Sequence, residues 1–289
     1  MVNFGKVLTA MATPFDSHGE IDYDMTTQLV NYLIDNGSDG LVVAGTTGES
    51  PTLTAEEKVS LLQHVVKAAN KRVPVVAGTG SNHTKSSIEL SQKAESVGVD
   101  ALMLVTPYYN KPNQKGMYHH FKTIADTTSL PVMLYNVPGR SAAGLEPETV
   151  IELSKVDNIV SVKEASASLD GIAKIIEGTD DTFSLYSGDD NLTLPIYAVG
   201  GDGVVSVSSH IIGAEMQQML AYFDEGKVKE ASALHRKLLP FMKVMFSAPS
   251  PTPVKAALNM KGVNVGGVRM PLMPLDQAEE EAIKQLMPV

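Results

Sequence analysis

A lysine ends one apolar run of the sequence in a way that suits covalent chemistry. The segment NIVSVKEASAS (158–168) contains the run IVSV (159–162), which ends at Lys163 and is followed by small, mostly polar residues. This pattern predicts a short buried strand whose last side chain enters a solvent-accessible pocket. Desolvation lowers the pKa of an amine from its ordinary value of about 10.4 and frees the lone pair to attack a ketone. The imine that results is an electron sink for making or breaking a carbon–carbon bond.

The ordinary alternative is that Lys163 is a solvated surface charge, as most lysines are. Lys163 on its own therefore does not decide between the two interpretations. Imine chemistry also needs groups that carry protons and bind anions, and these must lie beside the amine.

Suitable groups follow other apolar runs of the chain. Thr46 and Thr47 follow the second run, and Tyr108 and Tyr109 follow the fourth. The fifth run ends at Tyr135 and is followed by Arg140, Gly188 follows the seventh run, and GGDG (200–203) leads into the eighth. Hydroxyls and backbone amides hold carboxylates, tyrosines carry protons, and arginine binds carboxylates in a bidentate manner. Each residue also has an ordinary explanation, such as a capped turn or a packing aromatic. Together they supply what Schiff-base chemistry on an α-keto acid requires.

Eight short apolar runs alternate with amphipathic segments. The runs are LTAMA (8–12), GLVVAG (40–45), PVVAG (74–78), ALMLV (101–105), PVMLY (131–135), IVSVK (159–163), FSLYS (183–187) and GVVSV (203–207), and the helical segments include 55–70, 84–97, 115–127, 147–155, 169–177 and 211–223. Thr54 and Glu57 form a capping box at the start of the first of these helices. The alternation predicts parallel strands covered by helices on both faces. An open doubly wound sheet fits this pattern, but eight units favour a (β/α)8 TIM barrel, whose chemistry lies at the carboxyl ends of the strands.

The strand patterns stop after residue 224. We therefore divide the chain into a catalytic barrel (1–224) and a C-terminal helical appendage (225–289). The appendage reads as about three helices, broken by SAPSPTP (247–253) and MPLMP (270–274).

Composition excludes several classes of function. The 289 residues contain no cysteine, which removes disulfides, thiolate catalysis and zinc–sulfur sites. The formal net charge of −10 argues against nucleic-acid binding that is independent of sequence. No apolar run approaches the roughly 18 residues that span a bilayer, and no secretory signal is apparent, so we expect a cytoplasmic protein. No dinucleotide-binding fingerprint, P-loop or HExxH motif is present, so we expect neither a cofactor nor a metal.

The segments GTTGES, TPYYNKP, YNVPGR and VKEAS occur in this order. With them the chain resembles the dihydrodipicolinate synthase family of the pyruvate-dependent class I aldolase superfamily, over essentially its whole length. The arginine of YNVPGR is the most discriminating of these residues, since the similar N-acetylneuraminate lyases lack it at this point.

The resemblance implies a reaction. Lys163 would form the imine with pyruvate, whose carboxylate Thr47 and the neighbouring backbone would hold, with Val205 and Gly188 also at that site. The enamine would attack the aldehyde of L-aspartate 4-semialdehyde. Transimination by the amine of the semialdehyde would then close the ring and free Lys163. The product would be 4-hydroxy-tetrahydrodipicolinate, on the route to diaminopimelate and lysine.

The resemblance also implies a proton relay and an oligomer. Tyr135 would be the proton donor and acceptor, linked through Thr46 to Tyr109, and Arg140 would bind the carboxylate of the semialdehyde. The tyrosine that matches Tyr109 reaches into the partner subunit's site in the family. The active unit would therefore be at least a dimer, and usually a tetramer built from such dimers.

One departure from the family concerns regulation. Members that lysine inhibits carry two histidines and a glutamate where this chain has Ala55, Lys58 and Ser86. The positions Ser50, Asn82 and Tyr108 match. A site that lacks a carboxylate and gains a cation binds a cationic amino acid poorly. We therefore expect weak or absent inhibition by lysine.

Three rival functions remain open from the sequence. A sister pyruvate aldolase would act on a sugar-derived keto acid, and Arg140 argues against it. A silent pyruvate-binding sensor would bind without turnover, which the full set of strand-end residues makes a poorer fit. A metal-dependent aldolase would lose its activity to a chelator.

Overall fold

Eight parallel strands close into a barrel in the computed structural model, which describes residues 4–287. The strands are β1 (Val7–Ala10), β2 (Gly40–Val43), β3 (Val75–Gly78), β4 (Ala101–Val105), β5 (Val132–Asn136), β6 (Ile159–Glu164), β7 (Ser184–Ser187) and β8 (Gly203–Ser206). Each strand pairs with its neighbour in chain order, and β8 pairs with β1. The predicted TIM barrel is confirmed, and the open sheet is wrong.

Helices surround the barrel and extend beyond it. They are α1 (Tyr23–Asp35), α2 (Ala55–Ala69), α3 (Thr84–Ser96), α4 (Gln114–Ala125), α5 (Pro138–Ser141), α6 (Pro147–Leu153), α7 (Leu169–Gly178), α8 (Thr193–Ala198), α9 (Ser209–Asp224), α10 (Val228–Val244), α11 (Thr252–Met260) and α12 (Gln277–Leu286), with single 3-10 turns at Ser50–Thr52 and Asp190–Leu192. All six predicted helical segments are present. Helices α1, α5 and α8 were not among them, and the last two are too short to show a helical period.

Capping sets the starts of several helices. The Thr54 hydroxyl accepts a hydrogen bond from the Glu57 N–H at 3.1 Å, and the Glu57 carboxylate accepts one from the Thr54 N–H at 2.7 Å. The predicted capping box of α2 is thus confirmed. The Asp22 carboxylate caps α1 in a similar way by accepting from the Met25 N–H at 2.9 Å. These bonds satisfy N–H groups that have no partner within the helix.

The hydrophobic core has two layers. A small inner layer fills the barrel with side chains such as Leu8, Val76 and Met133, while a larger outer layer lies between the strands and the helices. A barrel filled in this way is closed at its centre, so a ligand is confined to the ends of the strands.

Up to residue 287, three helices follow residue 224, as the sequence predicts. Leu258 of α11 and Ile283 of α12 belong to the same outer layer of the core as the barrel strands. The appendage therefore packs directly on the barrel, and its division from the barrel at residue 224 stays a prediction. In the described part of the chain, no helix has both the length and the apolar character needed to cross a membrane.

Candidate active site

Lys163 and Tyr135 lie side by side near the carboxyl ends of β6 and β5. The two residues are paired in the register of these strands. The Lys163 Nζ atom lies 4.2 Å from the centre of the Tyr135 ring. Both side chains are 5% exposed. An amine thus lies against the face of a phenol inside the barrel end. The chemical role predicted for Lys163 stays a prediction.

The strand continues one residue beyond the predicted end. Val162 packs in the outer core layer, and Lys163 follows on the opposite face because successive side chains of a strand alternate. Glu164, the last residue of β6, points outward again, and its carboxylate accepts a hydrogen bond from the Asn136 side-chain amide at 2.9 Å. This alternation directs Lys163, and not its neighbours, into the barrel.

A cavity of about 300 Å³ opens beside Tyr135. Three of the predicted site residues line it: Thr46 from the loop after β2, Tyr135 from β5, and Arg140 from α5. Lys58 and Tyr108 line it as well. The cavity therefore combines hydroxyl groups and two cationic side chains, which suits a small anionic ligand.

The other predicted residues do not line this cavity. Thr47 is buried next to Thr46. Val205 of β8 belongs to the inner core layer that also contains Tyr135. The Gly188 N–H donates to the Glu164 carbonyl at 2.7 Å, so the turn after β7 lies beside the end of β6. Gly188 thus lies beside the strand that carries Lys163, and Val205 lies in the same core layer as Tyr135.

Tyr109 lies apart from the rest of the set. Its side chain is 90% exposed, and its backbone has a φ of +70°. A left-handed backbone is rare for a residue with a side chain. Within one chain, the structure does not bring Tyr109 together with Tyr135 and Thr46.

The list of predicted site residues omitted a carboxyl group. Burial raises the pKa of Asp189, and the nearby charge of Asp190 raises it further, while the positive charges of Lys163 and Arg140 partly offset this. Asp189 therefore lies within electrostatic reach of both cations. Its position directly after Gly188 was the only signal in the sequence.

Two further ionisable groups near the site have shifted pKa values. Burial lowers the pKa of Lys58, which lines the cavity. Burial also raises the pKa of Glu164, although the hydrogen bonds from Asn136 and Ser166 oppose the shift. Clusters of shifted groups of this kind are typical of functional sites.

We found no arrangement of three or more histidine, aspartate or glutamate side chains suited to a metal ion within residues 4–287. The expectations that neither a metal nor a cofactor takes part in the reaction stay predictions.

Comparison with known proteins agrees with this geometry. The sequence model of the dihydrodipicolinate synthetase family matches residues 3–288. A 4-hydroxy-tetrahydrodipicolinate synthase of Bacillus velezensis is 59% identical over 286 residues, which cover 99% of each chain.

Solved structures give the same result. A crystal structure of a dihydrodipicolinate synthase from Bacillus anthracis superposes with a TM-score of 0.98 at 58% identity, covering 99% of this chain and 98% of that one. A lysine-bound structure of the enzyme from Cyanidioschyzon merolae superposes with a TM-score of 0.97 at 45% identity, covering 98% and 97%. The chain therefore belongs to the dihydrodipicolinate synthetase family.

Proposed function

We propose that the chain catalyses the 4-hydroxy-tetrahydrodipicolinate synthase reaction, in which pyruvate condenses with L-aspartate 4-semialdehyde through an imine on Lys163. The observation that carries the proposal is the buried Lys163 amine, 4.2 Å from the centre of the Tyr135 ring and beside a cavity that Arg140 lines. Similarity to 4-hydroxy-tetrahydrodipicolinate synthases along the whole chain supports the choice of substrates.

The first step joins pyruvate to the enzyme. The Lys163 Nζ attacks the keto carbon of pyruvate, and loss of water leaves an imine. Tyr135 exchanges protons with the nitrogen and the departing oxygen, since its ring contacts the amine. The Thr47 hydroxyl and the backbone of its loop hold the pyruvate carboxylate, with Gly188 and Val205 at the same end of the barrel.

The second step makes the carbon–carbon bond. Loss of a methyl proton turns the imine into an enamine, whose terminal carbon attacks the aldehyde of the semialdehyde. Tyr135 protonates the aldehyde oxygen, and Thr46 links Tyr135 to the Tyr109 of a partner subunit. Arg140 binds the carboxylate of the semialdehyde from the cavity wall.

The last step frees the enzyme. The amine of the bound semialdehyde attacks the imine carbon and displaces Lys163, which closes the ring and regenerates the free lysine. One pyruvate and one semialdehyde thus give one 4-hydroxy-tetrahydrodipicolinate and one water.

The active protein is a homo-oligomer, and we assign it as a tetramer built from dimers that share Tyr109. The support is the 90% exposure of Tyr109 and its left-handed backbone, which together present the phenol outside its own chain. A cytoplasmic location belongs to the same proposal, because the bacterial relatives are biosynthetic synthases.

The test is pyruvate consumption with a panel of aldehydes that includes L-aspartate 4-semialdehyde and several sugar aldehydes. We expect rapid consumption with the semialdehyde alone, and the same rate after treatment with a chelator. A preference for a sugar aldehyde would refute the proposed substrate while leaving the imine mechanism in place. No consumption with any aldehyde would refute the proposed function and favour a silent sensor.

A further inference from the structure

The loop that carries Thr46 and Thr47 has an unusual backbone. Ala44 and Glu49, at its two ends, both have a φ of +55°, a left-handed conformation that residues with side chains rarely adopt. In the described part of the chain, neither threonine hydroxyl makes a hydrogen bond. Other contacts must therefore hold the loop in this conformation.

The Glu49 carboxylate makes the longest-range of these contacts. The Glu49 side chain is 1% exposed and that of Lys255, in α11, is 2% exposed. The Lys255 Nζ donates to Oε1 of Glu49 at 2.8 Å, and the Arg269 N–H donates to Oε2 at 2.8 Å. Both carboxylate oxygens are thus bound by the C-terminal helical appendage.

The Lys255 amine is fully engaged as well. It also donates to the Gly267 carbonyl at 2.6 Å, and it lies 4.1 Å from the centre of the Phe15 ring. Burial lowers the pKa of Lys255 to about 8, while the Glu49 charge opposes this shift. The pKa shows that burying the amine is costly even with its partner in place.

A buried ion pair of this kind is a poor source of stability. Apolar residues of similar volume often serve stability equally well or better, because they avoid the desolvation of two charges. What the pair does supply is a fixed orientation of the Glu49 side chain. Its hydrogen bonds fix the Glu49 side chain, and the Glu49 N–H in turn donates to the Thr46 carbonyl at 3.0 Å.

We propose that Glu49, Lys255 and the N–H of Arg269 form an anchor through which the appendage positions Thr46 and Thr47 for pyruvate. Glu49 and Lys255 are positioning residues, since neither lines the cavity. The proposal rests on the roles given above to the two threonines. It makes the appendage a support of the pyruvate site, although no residue of the appendage lines the cavity.

The variants Glu49→Gln and Lys255→Met test the anchor, with Glu57→Gln as the matched control. Glu57 also binds the appendage, with its carboxylate 2.5 Å from the Arg269 guanidinium, and its other hydrogen bonds join it to Thr54, outside the loop at 45–50. Glutamine preserves the capping box of α2. The readout is the pyruvate concentration that gives half-maximal borohydride trapping, which needs no second substrate.

We expect Glu49→Gln and Lys255→Met to raise this concentration about tenfold or more, because the loop is displaced from the pyruvate carboxylate. We expect a change of less than about twofold in Glu57→Gln, whose ion pair is partly solvated. In the double variant, Glu49→Gln should add little to Lys255→Met, because both changes break one contact. Wild-type affinity for pyruvate in a folded Glu49→Gln variant would overturn the proposal, and so would an equal loss in Glu57→Gln.

Hydrogen exchange of the wild-type protein tests the anchor even if both variants fail to fold. Coupling between two sites is reciprocal, so a ligand that holds the loop also stabilises the contact to Arg269. Saturating pyruvate should therefore slow amide exchange in the peptide around Arg269 as well as in the loop at 45–50. Protection of the loop without protection around Arg269 would overturn the anchor. The proposed function would fail differently, as trapping of pyruvate without turnover of the semialdehyde.

Discussion

If Tyr109 of one subunit completes the active site of its partner, two variants of low activity should recover activity when they are coexpressed. Lys163→Ala removes the amine that forms the imine. Tyr109→Phe removes only a hydroxyl, from a side chain that is 90% exposed in its own chain. We expect this second change to leave the stability of the fold within about 0.5 kcal/mol of wild type. Loss of a proton carrier should nonetheless lower the rate by about 10²- to 10⁴-fold.

The size of the recovery follows from symmetry. When the variants are coexpressed in equal amounts and pair at random, about half of the dimers contain one chain of each kind. In such a dimer one site combines an intact Lys163 with the partner subunit's Tyr109, and the other site carries both lesions. The mixture should therefore reach about a quarter of wild-type activity.

The assay compares this mixture with a control that cannot complement. The control coexpresses Lys163→Ala with Arg140→Ala. Each of these residues acts in the active site of the chain that carries it, so a mixed dimer has no intact site. This control mixture should stay at the sum of its two parts. If Lys163→Ala with Tyr109→Phe also stays at the sum of its parts, while size analysis shows mixed dimers, then Tyr109 does not act across the interface.

Three further predictions concern recognition, regulation and stability. Arg140→Ala should lower kcat/KM for the semialdehyde by about 10- to 100-fold, because a hydrogen bond to a charged group contributes about 1.5–3 kcal/mol; equal loss in pyruvate trapping would contradict its role. Millimolar lysine should leave turnover nearly unchanged, because the Lys58 amine in the cavity wall repels a second cation; strong inhibition in a steady-state assay would refute this. His210 is fully buried, and burial lowers its pKa from 6.5 to about 4. Between these two pH values the unfolded chain binds a proton on this side chain and the folded chain does not. About 3 kcal/mol of folding stability is therefore present above pH 6.5 and is lost as the pH falls towards 4. The urea midpoint should therefore fall less steeply over this range in His210→Leu than in wild type, and equal slopes would contradict the assignment.

The barrel was predictable because each strand is apolar throughout. A strand covered on both faces has no polar side, so GLVVAG and ALMLV could be recognised without knowledge of their partners. Lys163 stood out for the same reason, as a charge at the end of such a run. The position of Tyr135 beside it followed from barrel topology, which places neighbouring strand ends together.

The anchor on Glu49 was not predictable in this way. Glu49 and Lys255 are 206 residues apart. Nothing in the sequence around either residue distinguishes a buried pair from two surface charges. Asp189 was missed for a related reason, because its importance depends on the charges of Lys163 in β6 and Arg140 in α5. Long-range pairing of polar groups requires the three-dimensional structure.

The imine on Lys163 is the central claim, and borohydride reduction in the presence of pyruvate tests it most directly. We predict that intact-mass analysis shows one added group per chain, equal to pyruvate minus water plus two hydrogens. Peptide mapping should place this group on Lys163 alone, and Lys163→Ala should show no addition. An unmodified wild-type chain, or a label on a different lysine, would contradict the account.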